Sequence, residues 1–217
     1  MRPRADRSRE EEKSMEHKSE EQTWIARAQA GDQEAFNNLV WMYQTAVYNL
    51  AYRMMGDRME AEDAAQETFV RAYTRLSTYD PNRKFASWLL AIASHYCIDR
   101  LRRRRFTWLP LDELPPWDQP GGERDQPEAA TLQRESQDEL HELLGTLPPD
   151  YRAAVTLYYW NDLSYREIAE VMDTTEGAIK SRLFRARRMM AEAALARSKG
   201  VAPRASNSQP VEALQGG

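Results

Sequence analysis

Between Thr107 and Thr131 the chain carries five prolines and the pair Gly121-Gly122. Proline locks φ and removes a backbone donor, so no regular helix or central strand can run through such a stretch. Whatever folds must fold on either side of it. At about 3.3 Å per residue the segment reaches roughly 80 Å when extended, and far less as a relaxed coil. From Asp112 to Glu142 there are ten acids against only Arg124 and Arg134, which reads as a solvated acidic linker.

On both sides of the break, apolar residues recur every three or four positions, as in Phe36, Leu39, Val40, Tyr43, Val47 and Leu50. That is the period of a helix with one buried face. The first block predicts helices over "EQTWIARAQA", "DQEAFNNLVWMYQTAVYNLAYRMMG", "RMEAEDAAQETFVRAYTRL" and "FASWLLAIASHYCIDRLRRRR", with Asp32 and Gly56 as start and stop of the second. In the other block, "LQRESQDELHELLGTL" predicts one helix and Pro148-Pro149-Asp150 the start of the next. Shorter helices begin at Ser164 and Thr175. No run shows strand alternation. The expected fold is all-α: two small helical domains, 21–106 and 132–197, joined by the linker 107–131 without a shared core. Residues 1–20 and 198–217 are polar tails expected to be disordered.

Composition removes several classes. A single cysteine, Cys97, excludes an intrachain disulfide framework. The first twenty residues contain no apolar signal region. The longest apolar run, Trp88 to Ala93, is too short to cross a bilayer. The expectation is a soluble, cytoplasmic protein. "HELLG" at His141 has Gly145 where a zinc protease needs its second histidine, and no glycine-rich phosphate loop occurs. Neither an enzyme, a metal site nor a cofactor is expected.

The formal charge is -4, yet from Gly177 to Arg188 the chain carries Lys180, Arg182, Arg185, Arg187 and Arg188 and no acid. The preceding residues have the mechanics of a helix-turn-helix. Ser164 and Glu167 form a capping-box pair, and Asp173 sits where the chain must turn and tolerates a left-handed backbone. Thr175 caps a second helix whose Ile179, Leu183, Ala186 and Met190 form one apolar stripe. The other side presents Lys180, Ser181, Arg182, Arg185 and Arg188. In such motifs the amino end enters the major groove, so Thr175, Glu176, Lys180, Ser181 and Arg182 are candidates for base edges. Arg185 and Arg188 are better placed for phosphates.

The first block ends in "CIDRLRRRRF", preceded by the loop "STYDPNRKFASWLL". Its Tyr79, Asn82, Arg83, Lys84, Phe85 and Trp88 mix rings with cations, a combination that suits unstacked bases, while Phe85 and Trp88 read equally well as core residues. Arg100 and Arg103 add charge on the following helix.

The segments "AEDAAQETFVRAY", "FASWLLAIASHYCIDRLRRRR" and "LSYREIAEVMDTTEGAIKSRLFRAR", in that order and spacing, resemble bacterial RNA polymerase sigma factors of the extracytoplasmic-function group of the sigma-70 family. The resemblance covers about residues 21 to 197. It implies that Asp63, Gln66 and Glu67 bind the clamp of the polymerase largest subunit. It also implies that the Tyr79–Phe85 loop and the next helix, through His95, capture a minus-ten base. The helix-turn-helix would read the minus-thirty-five element and rest on the polymerase flap, and the acidic linker would thread the transcript channel. Core RNA polymerase, promoter DNA as duplex and single strand, and an anti-sigma factor are the partners implied.

The family usually carries Asn where this chain has His95, so base preference near the start site is an open variable. Melting about ten base-pair steps at about 1.4 kcal/mol each costs roughly 14 kcal/mol, as much as the whole stability of a domain. Two small modules need a partner to supply that. The competing reading is a stand-alone helix-turn-helix regulator, which would bind duplex DNA specifically without polymerase.

Overall fold

The computed structural model describes residues 19–107 and 139–198. The expectations for residues 1–18, 108–138 and 199–217 lie outside the described residues, whereas 19–20, Thr107 and Ser198, assigned to the tails and linker, are helical. Within them the chain is all-α. Helix α1 covers 19–29, α2 Gln33–Met55, α3 Arg58–Arg75 and α4 Phe85–Thr107, with a short 3-10 turn at Leu76–Thr78. Helix α5 covers 139–145, α6 Pro149–Trp160, α7 Tyr165–Val171 and α8 Glu176–Ser198.

The ends of these helices are set locally. The Glu34 and Ala35 amides donate to the Asp32 carboxylate at 3.0 and 3.1 Å, satisfying donors that the first turn leaves open. Gly56 closes α2 at φ 74, a left-handed conformation that costs glycine nothing. Asp57 restarts the chain by accepting from the Glu60 amide at 2.9 Å.

In the first domain α2, α3 and α4 pack on one another. Ala61, Ala64, Thr68 and Ala72 line the buried side of α3 and are all fully enclosed. Small side chains at that spacing let the helix axes approach closely. Helix α4 contributes Leu89, Leu90, Ala93, Ile98 and Leu101. Cys97 packs among them as a small apolar residue, and burial pushes its thiol up to about 12. The second domain closes around Leu144, Leu147, Leu157, Ile168, Ile179 and Leu183.

The two domains do not stand apart, which corrects the expectation of separate cores. Helix α6 lies against α2 and α4, and α7 against α4, so the buried side chains form one continuous cluster. Buried Arg152 spans the seam: it donates to the Met54 carbonyl at 2.6 Å and to the Gly145 carbonyl of its own domain at 2.8 Å. The Arg53 guanidinium lies 4.8 Å from the Trp160 ring centroid, and the Tyr52 and His141 rings meet edge-on at 4.4 Å. Arg102 reaches both carboxylate oxygens of Asp150 at 2.9 Å. One sequence feature carried the signal. Residues 152–157, "RAAVTL", are buried without a break, and a helix enclosed on all sides needs neighbours beyond its own small domain.

Candidate nucleic-acid interface

Helices α7 and α8 form the expected helix-turn-helix, built by local chemistry. The Glu167 amide donates to Ser164 Oγ at 3.3 Å, and the Ser164 amide donates to the Glu167 carboxylate at 2.9 Å, completing the capping box. Asp173 holds φ 48, and the next amide, that of Thr174, donates back to the Ala169 carbonyl at 2.9 Å. Thr175 Oγ1 then accepts from the Ala178 amide at 3.2 Å to cap α8.

Ile179, Leu183 and Ala186 of α8 are buried, and Met190 packs half-buried beside them. The outward face is sorted by its ion pairs. Lys180 pairs with Glu176 at 2.8 Å and Arg188 with Glu192 at 3.3 Å. Arg187 turns away and donates to Tyr159 Oη at 2.9 Å, between the rings of Tyr158 and Tyr159. Arg185, exposed, and Arg182, half-buried, have no acidic partner among the described residues. Ser181 lies exposed between Lys180 and Arg182. An unneutralised guanidinium on a capped recognition helix is free to meet a base edge or a phosphate.

The loop before α4 has a different construction from the one its composition suggests. Tyr79 and Phe85 are buried at 5% and 3% exposure. With Trp88 and Tyr43 they form a nest of rings whose neighbouring centroids lie 5.3 to 5.5 Å apart. Tyr79 Oη donates to the Arg83 carbonyl, and the Gln29 amide donates to the Leu76 and Tyr79 carbonyls. Tyr79 and Phe85 are therefore the foundation of the loop and present no open ring to a base; Trp88 alone of the three is partly exposed. At the tip, the Asn82 amide and side chain both donate to Asp80 Oδ1 at 2.9 Å, an Asx turn that fixes the loop. Asn82, Arg83 and Lys84 are exposed on it. The loop–ring packing depends on which residues meet in space, so composition alone could not sort platform from foundation.

His95 is exposed on α4, seven residues after Trp88 and so on the same side of the helix. The arginine run that follows divides. Arg102 and Arg104 are tied to Asp150 and Glu60 at 2.9 Å each. Arg100 donates to Tyr96 Oη at 3.1 Å and lies 3.7 Å from Asp63. Arg103 is exposed.

On α3, Asp63 and Gln66 are exposed, and half-buried Glu67 pairs with Arg71 at 2.7 Å. The same face bears something the acidic motif did not announce. Met59, Val70 and Tyr73 are exposed at 69%, 58% and 44%. At positions 59, 63, 66, 70 and 73 these side chains stack into one stripe along the helix. The signal lay in the sequence as apolar residues offset from the buried alanine row.

Lys84 links this loop to the helix-turn-helix, with Nζ 2.6 Å from Glu167 Oε1. That ammonium, with the Ser164 hydroxyl and amide, holds the Glu167 carboxyl down at about 2, from an ordinary 4.5. A depressed carboxyl contributes its stabilisation fully above about pH 4.5 and loses it as pH falls toward 2. Carbon-detected NMR titration is expected to place Glu167 near that low value, with Lys84→Ala raising it toward the ordinary range. An unchanged midpoint in Lys84→Ala would contradict the contact.

No helix among the described residues is long and apolar enough to cross a membrane. Residues 39–107 match the family Sigma-70 region 2, and residues 137–190 match Sigma-70, region 4. The chain is 36% identical over 170 residues to the ECF RNA polymerase sigma factor SigW of Bacillus subtilis, covering 75% of this chain and 90% of SigW. CnrH, solved in complex with the cytosolic domain of CnrY, shares 26% identity at a TM-score of 0.61, over 82% of this chain and 98% of CnrH. The sigma factor RpoE from Bartonella quintana, solved with the anti-sigma factor NepR, shares the fold at a TM-score of 0.55 and 21% identity, over 74% of this chain and 96% of RpoE. The α3 stripe and loop lie in the region 2 match and the helix-turn-helix in region 4, in the order the three motifs suggested: the chain belongs to the extracytoplasmic-function RNA polymerase sigma factors of the sigma-70 family.

Proposed function

We propose that this sigma factor directs core RNA polymerase to its promoters through three surfaces of distinct chemistry. The α3 stripe, with Asp63, Gln66 and Glu67 among Met59, Val70 and Tyr73, docks on the polymerase clamp. Acids framed by exposed apolar side chains suit a helical partner with basic and apolar residues. The loop tip and the start of α4 capture the minus-ten base. Asn82, Arg83 and Lys84 meet the backbone or base, Trp88 and His95 line the helix beside it, and Arg100 and Arg103 meet phosphates. Tyr79 and Phe85 hold the loop in shape from beneath. Helix α8 reads the minus-thirty-five element, with Thr175, Glu176, Lys180, Ser181 and Arg182 toward the bases and Arg185 and Arg188 toward phosphates.

The observation that carries this reading is the pair Arg182 and Arg185, left without acids on a helix whose neighbouring cations are tied to partners. A stand-alone regulator would need only that helix. The rigid, exposed loop built on a separate aromatic nest, beside the α3 stripe, favours a promoter-melting factor instead. The protein partner in the CnrH complex also supports a regulatory protein that binds this chain from outside.

Asn82→Ala combined with Arg83→Ala tests the melting surface while leaving the Lys84–Glu167 contact in place. The double variant is expected to slow permanganate reactivity of promoter thymines on duplex templates by about tenfold or more, because unstacking costs a few kcal/mol that the pocket must offset. A template with a preformed bubble should restore most of the rate. Normal opening of duplex promoters would remove the loop from the melting machinery.

A further inference from the structure

Helix α1 ends in a fixed corner. The Asp32 amide donates to the Arg27 carbonyl at 3.1 Å and the Gly31 amide to the Ala28 carbonyl at 3.0 Å, with Gly31 at φ 95. This is a Schellman closure, whose left-handed residue is glycine because a side chain there would be strained. Arg27 pairs with Asp32 at 2.7 Å across the same corner, and Asp32 caps α2. Ile25 and Ala28 bury the inner side of α1. Gln29, the last residue of α1, is therefore carried on backbone with little freedom to rotate.

From that position one side-chain nitrogen spans a whole turn. Gln29 Nε2 donates to the Leu76 carbonyl at 3.0 Å and to the Tyr79 carbonyl at 3.3 Å, one bond for each of its hydrogens. Those carbonyls bracket the 3-10 turn that delivers the chain into the loop before α4. Tyr79 carries the connection onward, its Oη donating to the Arg83 carbonyl near the tip. A second tie runs from the start of α1, where Glu21 accepts from Tyr43 Oη at 2.6 Å and so fixes a ring packed on Phe85. Gln29 is itself exposed, so it fills no core; what it supplies is two directed hydrogen bonds.

We propose that Gln29 is a positioning residue for base capture: its amide holds the loop at the angle from which Asn82 and Arg83 meet the minus-ten base. The proposal rests on the base-capture reading above and adds α1 to it, as an element that acts through the loop tip rather than on DNA. Without the amide the tip spends part of its time in other orientations. The apparent affinity for the captured base then falls with the fraction of time spent in the competent one.

The experiment uses the full chain bound to core polymerase. It compares Gln29→Met, which keeps the length and loses the donors, with Gln29→Lys, which keeps a donor of similar reach. One net hydrogen bond corresponds to about a two- to tenfold change, and Gln29→Met is expected to slow permanganate reactivity of promoter thymines on duplex templates by a factor in that range. It should also narrow, to a similar extent, the holoenzyme's preference for the favoured base at the captured position of a single-stranded minus-ten oligonucleotide. Gln29→Lys should retain most of both. Co-purification with core polymerase, binding to minus-thirty-five duplex and the thermal midpoint should match the parent chain. Because Gln29 acts through the tip, adding Gln29→Met to Asn82→Ala with Arg83→Ala should slow opening no further, whereas an independent structural defect would add. Additive slowing, a lowered thermal midpoint with base preference unchanged, or normal opening by Gln29→Met would overturn the positioning role. Normal opening by the Asn82 and Arg83 double variant would instead overturn the base-capture reading, and this proposal with it.

Discussion

Arg182→Ala is expected to relax sequence preference at one position of the minus-thirty-five element, with a loss of about 1–3 kcal/mol on the preferred base. Arg185→Ala is expected to weaken every sequence alike and to lower the salt slope by about one unit. Arg185 is exposed and Arg182 flanks the apolar stripe of Ile179, Leu183 and Ala186 half-buried, so neither belongs to the core, and helix content should be unchanged. Arg188→Ala should act in the same sense as Arg185→Ala but more weakly, because Arg188 shares its charge with Glu192 at 3.3 Å. Footprinting of the reconstituted holoenzyme across single-base promoter variants, at two salt concentrations, separates these effects. Identical sequence profiles and salt slopes for Arg182→Ala and Arg185→Ala would mean that the division of α8 into base-reading and phosphate-holding positions is wrong.

Asp63→Lys combined with Glu67→Lys is expected to abolish co-purification with core polymerase. Removing one partner of a desolvated interfacial charge pair costs about 2–5 kcal/mol, and here the charges are reversed at two sites. The fold should survive. Asp63 is a 61% exposed side chain, and Glu67 loses only a half-exposed pair to Arg71, worth about 0.2–0.5 kcal/mol on a helix surface. Val70→Ser probes the apolar part of the stripe separately, and should weaken the complex without the salt dependence of the charge variants. Retention of core polymerase by the charge-reversed protein would sink the assignment of α3.

Much of this molecule was legible along the chain because its signals are local. Asp32 and Gly56 bound α2, Ser164 with Glu167 starts α7, Asp173 turns the chain and Thr175 caps α8. Each of these depends on atoms within about four residues, where side-chain chemistry and backbone geometry are linked directly. Helical periodicity identified the buried faces for the same reason: a helix places residues three and four apart side by side whatever surrounds it.

Tertiary structure decided what depends on distant partners. The sequence placed Tyr79, Phe85 and Trp88 together with cations, but only packing against Tyr43 made two of the rings a foundation. It placed Arg187 in the basic run, and only the position of Tyr159, 28 residues away, drew that guanidinium off the outward face. It marked no role for Arg152, whose acceptor at Met54 is 98 residues distant. Local rules determined which helices form and where the cations fall along α8. The side of each helix that another element covers follows from the summed burial of surfaces far apart in sequence, and that sum, absent from any short window of residues, closed the two domains on each other.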